Sequence, residues 1–188
     1  MPRMVTLFRV LLLAVLAGCV STPPSTPAPH TYYFDCDVPP GRFSEWNRTV
    51  DGKEVQISGA VEVVEPRDDP KWSPIAQVLI TGKDKDNPST LGFTVGLTMA
   101  VDLRASDLVQ IFLKKSGGPV WGDAVLSTTW RRAPIQFTLR FTHSGELAAS
   151  AAGTSRSVQV NGFDLKKLAL SCGTGQFKFK NVSVDVKK

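Results

Sequence analysis

The stretch IQFTLRFT, residues 135–142, alternates without a break. Ile135, Phe137, Leu139 and Phe141 fall on one side of an extended chain; Gln136, Thr138, Arg140 and Thr142 fall on the other. A helix would scatter those four apolar side chains around its circumference, whereas a strand gathers them on one face. The stretch therefore predicts a strand with one buried side. The same period of two recurs upstream. In VQISGAVEVV (55–64), Val55, Ile57, Val61 and Val63 share a face, with Gln56, Ser58 and Glu62 opposite. VQIFL (109–113) puts Val109, Ile111 and Leu113 together. No window sustains a helical stripe, and DLKKLALS (164–171) is the one short segment that leans that way.

Turn signals punctuate the strands: Asp51-Gly52, Asn87-Pro88, Gly117-Gly118, Ser144-Gly145 and Asn161-Gly162. Roughly a dozen short strands with such punctuation predict an all-β, two-sheet antiparallel sandwich. In QFKFKNVSVDV (176–186), Phe177 and Phe179 point inward, then Val182, Val184 and Val186. The parity reverses at Lys180-Asn181, which predicts a β-bulge or a change of sheet there.

The amino terminus reads differently. Arg3 and Arg9 form a basic region ahead of the apolar run Val10 to Ala17, which is too short to span a bilayer, a span that takes about 20 residues. It reads as a signal peptide, and Leu16-Ala17-Gly18-Cys19 resembles the bacterial lipobox. That resemblance implies cleavage after residue 18 and lipidation of Cys19, whose acyl chains anchor the mature chain stably to a membrane. Val20 stands where lipoproteins kept in the inner membrane often carry Asp, so the same resemblance implies the outer membrane, facing periplasm or cell surface. The segment to His30 holds four prolines among Ser, Thr and Ala. It reads as a polyproline spacer of about 30 Å. The expected organisation is signal peptide 1–18, lipidated Cys and linker 19–31, and β-sandwich 32–188.

With Cys19 assigned to lipid, Cys36 and Cys172 remain, one near each end of the domain. In an oxidising compartment they are candidates for one disulfide, which would lay the first and last strands side by side; two free buried thiols are the alternative. Losing Arg3 and Arg9 leaves 20 Lys and Arg against 17 Asp and Glu. So small an excess argues against a nucleic-acid partner, which calls for a concentrated basic patch.

The C-terminal third resembles the closing strands of the concanavalin A-like jelly rolls, the lectin and glucanase superfold. PIQFTLRFT leads through HSGE to a strand ending near VQVNG, then LALSC passes through GTG to FKNVSV. An early strand near YYFDC pairing with the last one fits the same pattern. The resemblance runs over residues 32–188 and is strongest after Pro134; an immunoglobulin-like sandwich is the other all-β option.

Chemistry is harder to find. The glucanase branch carries alternating carboxylates on one strand, and glycoside hydrolysis needs such a pair at a set separation. Glu62 and Glu65 have odd spacing, which a regular strand would aim to opposite faces. The Arg- and His-bearing strands of the related polysaccharide lyases have no match. His30 lies in the linker and His143 in a turn. No nucleophile elbow, paired metal motif or phosphate loop occurs, and no catalytic residue is assigned. Asp84, Asp86 and Asn87 could offer oxygen ligands to calcium, against the charges of Lys83 and Lys85; no other cofactor is expected. Trp72 and Trp121 lie in expected loops, where an indole can stack on a sugar ring, whereas Trp46 and Trp130 read as core or strand-edge residues. Small residues at 148–153 either leave room for a shallow groove or only let two sheets approach closely. Lys178 and Lys180 share an outward face that suits either anionic headgroups or edge protection.

These readings converge on a lipid-anchored, non-catalytic envelope module that recognises a glycan or another envelope component. The alternatives are a structural lipoprotein that binds another envelope protein, and a hydrolase or lyase of the same superfold.

Overall fold

The computed structural model describes residues 31–84, 93–104, 108–115, 126–129, 133–160 and 162–188. They form ten strands and no helix: β1 (Thr31–Thr49), β2 (Glu54–Pro66), β3 (Ile75–Asp84), β4 (Phe93–Asp102), β5 (Leu108–Lys115), β6 (Leu126–Thr129), β7 (Ile135–Phe141), β8 (Glu146–Ala151), β9 (Thr154–Gln159) and β10 (Phe163–Lys187). Every pairing is antiparallel.

Two strands are much longer than the usual five or six residues, β1 with 19 and β10 with 25. Their length turns one sheet into two layers. β10 pairs with β3 through residues 163–173 and with β2 through 175–187. β1 follows its other edge, 43–49 beside the first half and 31–38 beside the second. The first layer therefore runs β6-β5-β4-β3-β10-β1, and the second runs β9-β8-β7-β2-β10-β1. The bend falls at Gly173-Thr174-Gly175, with Thr174 at φ +57°, and at Pro39-Pro40-Gly41, where the β1 register breaks. Proline cannot donate to a ladder, so pairing stops where the chain must turn.

The inner faces of both layers share one hydrophobic cluster. Ile135, Phe137, Leu139 and Phe141 are buried as their alternation predicts, and so are Val55, Ile57, Val61 and Val63 and Val109, Ile111 and Leu113. Phe141 of the second layer meets Phe163 of the first edge to face, centroids 5.1 Å apart.

Cys36 and Cys172 are bonded, with Cα atoms 6.2 Å apart, and both are buried beneath the bend. Their separation lies within the normal span of a disulfide. The first and last strands do lie side by side.

The parity reversal at Lys180-Asn181 is a bulge. From Lys180 to Ser183, β10 spends three steps where β2 spends two, and β1 shows the same offset. Asn181 supplies the left-handed residue at φ +52°, a conformation its short polar side chain tolerates. Opposite it, Gly59 leaves the space: a Cβ there would sit 3.1 Å from both the Lys180 carbonyl and the Val182 backbone.

Bulges also explain two departures from the sequence reading. DLKKLALS is the first half of β10, not a helix. An extra residue at Lys166 puts Leu165 and Leu168 on the same buried face, so a three-residue spacing imitates a helical stripe. In β2 an extra residue at Val64 shifts the register, so Glu62 and Glu65 both face outward instead of opposing each other.

Candidate functional site

At one end of the first layer the β2–β3 loop meets the end of β4 and the start of β5, and they enclose a cleft of about 380 Å³ lined by Asp68, Asp69, Lys71, Trp72, Asp102, Leu103, Arg104 and Gln110, among others. Trp72 is its exposed aromatic wall, with 63% of its surface in solvent. Leu103 is 40% exposed.

Local hydrogen bonds fix the loop beneath Trp72. The Asp69 carboxylate accepts the backbone N–H groups of Lys71 (2.9 Å) and Trp72 (3.0 Å), a side-chain substitute for a backbone turn. Gly41 packs against this turn at φ +70°, and a Cβ on it would approach Asp69 Oδ2 to 3.1 Å. Its N–H donates to Thr174 Oγ1 at 3.3 Å, which joins the β1 break to the β10 bend.

Arg67 secures the start of the loop. Its N–H donates to the Thr174 carbonyl at 3.2 Å. Its guanidinium donates to Asp37 (2.6 Å), the Val38 carbonyl (2.8 Å) and Glu65 (2.8 Å). Its hydrogen bonds to Glu65 and then to Asp37 raise the pKa of the guanidinium above its ordinary value, so it stays charged. At the far side of the cleft, Asp102 accepts the Arg104 N–H at 2.9 Å and the Val101 N–H donates to the Pro74 carbonyl.

This end of the molecule interleaves signs. Among the described residues, Arg42, Lys71 and Arg104 each adjoin an exposed apolar residue in sequence, Phe43, Trp72 and Leu103, and Asp68, Asp69 and Asp102 stand against them. A ring face beside paired donors and acceptors can hold a flat, hydroxyl-bearing ligand without attracting strong charge.

Other sequence candidates fall as follows. Cys19, Asp86, Asn87, Trp121 and Trp130 lie outside the described residues. Asp84 ends β3, and no group of three or more His, Cys, Asp or Glu suited to a metal occurs among the described residues. Trp46 is half-buried against Tyr32, centroids 5.1 Å apart. His143 is exposed in the β7–β8 turn, where its N–H donates to Glu54. Lys180 bonds Glu62 at 2.6 Å, and Lys178 lies 3.9 Å from Asp35, so the basic stripe is largely paired.

The small residues at 148–153 do border a groove. It is about 540 Å³, open, and floored by Ser58, Thr138, Ser150 and Ser155 on the outer face of the second layer. Its floor has no exposed aromatic, so the Trp72 cleft has the stronger claim on a ligand. Sequence reading reached Trp72 but missed its partners, because Asp69, Arg104 and Gln110 come together only through the pairing of β3 with β4 and of β4 with β5. The adjacent pairs Arg42-Phe43, Lys71-Trp72 and Leu103-Arg104 were the available signal.

No protein-family model matches the chain, and no curated protein matches it in sequence. Solved structures resemble it. The marine PL7 alginate lyase from Zobellia galactanivorans superposes with a TM-score of 0.51 at 14% identity, over 81% of this chain and 76% of the lyase. An alginate lyase from Pseudomonas aeruginosa gives 0.50 at 14% identity, over 71% of this chain and 65% of that enzyme, so the chain spans just under two thirds of its length. A legume lectin-like domain from Entamoeba histolytica gives 0.48 at 10% identity, over 83% and 90%. The likeness to the two lyases is one of fold: the chain is an all-β, concanavalin A-like jelly roll.

Proposed function

We propose that this jelly roll is a non-catalytic glycan-binding module, held at the outer membrane through lipid on Cys19, with Trp72 as its sugar platform. The observation that carries the reading is the Trp72 cleft: an indole held in solvent on a hydrogen-bonded turn, flanked by carboxylate, guanidinium and amide groups. Burying an indole is favourable, so fixing it outward in a built cleft suits a ligand that covers it. The two alginate lyases show that a fold of this kind serves proteins acting on a polysaccharide. Among the described residues, no histidine lines the cleft.

Affinity electrophoresis through gels carrying soluble polysaccharides tests the reading. Wild-type chain should be retarded by at least one polysaccharide, and Trp72→Ala should lose about tenfold or more in affinity, the order of a hot-spot truncation. Retardation unchanged in Trp72→Ala would remove the sugar-platform role. Trp121→Ala is the companion variant, since the same role is proposed for that residue.

A further inference from the structure

A second aromatic stands on the face that leads into the cleft. Phe43, 56% exposed, follows the β1 break directly. Ser44, the next residue, pairs with the core-facing Cys172, so Phe43 points to the opposite, outer side. Its register partner on β10 is Gly173, which pairs with Ile75 on β3; Ile75 pairs with Ala100 on β4, and Ala100 with Gln110 on β5. These five form one row across the outer face of the first layer.

The row has the profile of a trough. Phe43 rises at one end. Gly173 contributes no side chain, and a Cβ there would lie 3.3 Å from the Arg42 carbonyl. Ala100 and Gln110 already line the Trp72 cleft. From Phe43 to Ala100 is three strand spacings, about 14 Å at 4.7–4.9 Å each. A single sugar cannot touch both ends of such a row.

Building on the glycan reading, we infer that Phe43 is a second platform of the Trp72 site, so that the domain binds a chain of several sugars along the Phe43–Gly173–Ile75–Ala100 row. The balance of Arg42, Lys71 and Arg104 against Asp68, Asp69 and Asp102 suits an uncharged, hydroxyl-rich chain over a polyanion. Carboxylates accept from sugar hydroxyls, and guanidinium and ammonium groups donate to ring and hydroxyl oxygens. An exposed phenylalanine alone is ordinary. One aligned in register with a cleft that already holds an exposed indole is a binding surface.

The test uses the full chain and a length series. Gels carrying β-glucan, xylan, galactomannan or alginate identify the polysaccharide that retards it most. Oligosaccharides of that polymer, one to six residues long, are then titrated calorimetrically into wild type, Trp72→Ala and Phe43→Ala. Wild-type affinity should climb until at least four residues. Phe43→Ala should weaken the longest oligosaccharides about tenfold while leaving the shortest unchanged, whereas Trp72→Ala should weaken all of them. An affinity that levels off at one or two residues, or a Phe43→Ala loss independent of length, overturns the second platform and leaves the Trp72 reading standing. Retardation by alginate alone overturns the uncharged chain. No retardation by any of the four overturns both readings.

Discussion

Asp69 and Gly41 do more for the site than their size suggests. Asp69 accepts two successive N–H groups and so sets the backbone from which Trp72 projects. Asp69→Asn keeps an accepting oxygen and should bind polysaccharide nearly as wild type; Asp69→Ala should lose much of the affinity while its urea midpoint falls little. Gly41→Ala places a Cβ in a left-handed conformation, which costs about 1–2 kcal/mol, and crowds Asp69. Urea denaturation should show that loss, with weaker glycan retardation. Lys180 permits a pH test. Its hydrogen bond to Glu62 holds its pKa above the ordinary 10.5. A raised folded pKa means that the stabilisation is complete below pH 10.5 and fades as pH climbs through the higher folded value. Urea midpoints of wild type and Lys180→Gln should therefore differ at pH 8 and converge toward pH 12; a gap that widens would show the reverse linkage.

The strands show how far a sequence can be read, and why reading stops at bulges. IQFTLRFT is regular, and each of its four apolar residues is buried as its alternation requires. The bulge at Lys180-Asn181 was legible too, because an unbroken apolar face on each side of it made the reversal visible. The bulges at Val64 and Lys166 were not. Val64 is followed by polar residues that face solvent on either parity, and Lys166 sits where the extra residue restores an apolar spacing that mimics a helix. Asn181 gives the element-scale prediction. Asn181→Gly should be close to neutral, while Asn181→Val, a branched side chain at φ +52°, should cost about 1–2 kcal/mol in urea denaturation. Equal stability of the two variants would show that β10 runs straight past β2.

At the scale of the whole molecule, two bent strands and one disulfide hold the layers together. The bridge closes a separation of 136 residues, worth about 5 kcal/mol in the chain-entropy description. Cys36→Ala/Cys172→Ala should lower stability by roughly 3–5 kcal/mol, and because the bridge lies under the Thr174–Gly41 contact, it should weaken glycan retardation as well. The all-β class and the Cys36–Cys172 pair could be read from alternation and cysteine count. The cleft could not, since its residues come together through the cross-strand registers Ile75–Ala100 and Ala100–Gln110, which no local pattern announces. The most direct test of the account is the indole N–H resonance of Trp72, assigned by its absence from Trp72→Phe, followed while the retarding polysaccharide's oligosaccharides are titrated in. The expected result is a saturable shift of that resonance in step with the calorimetric affinity. A Trp72 resonance that stays fixed while the sugar binds elsewhere would contradict it.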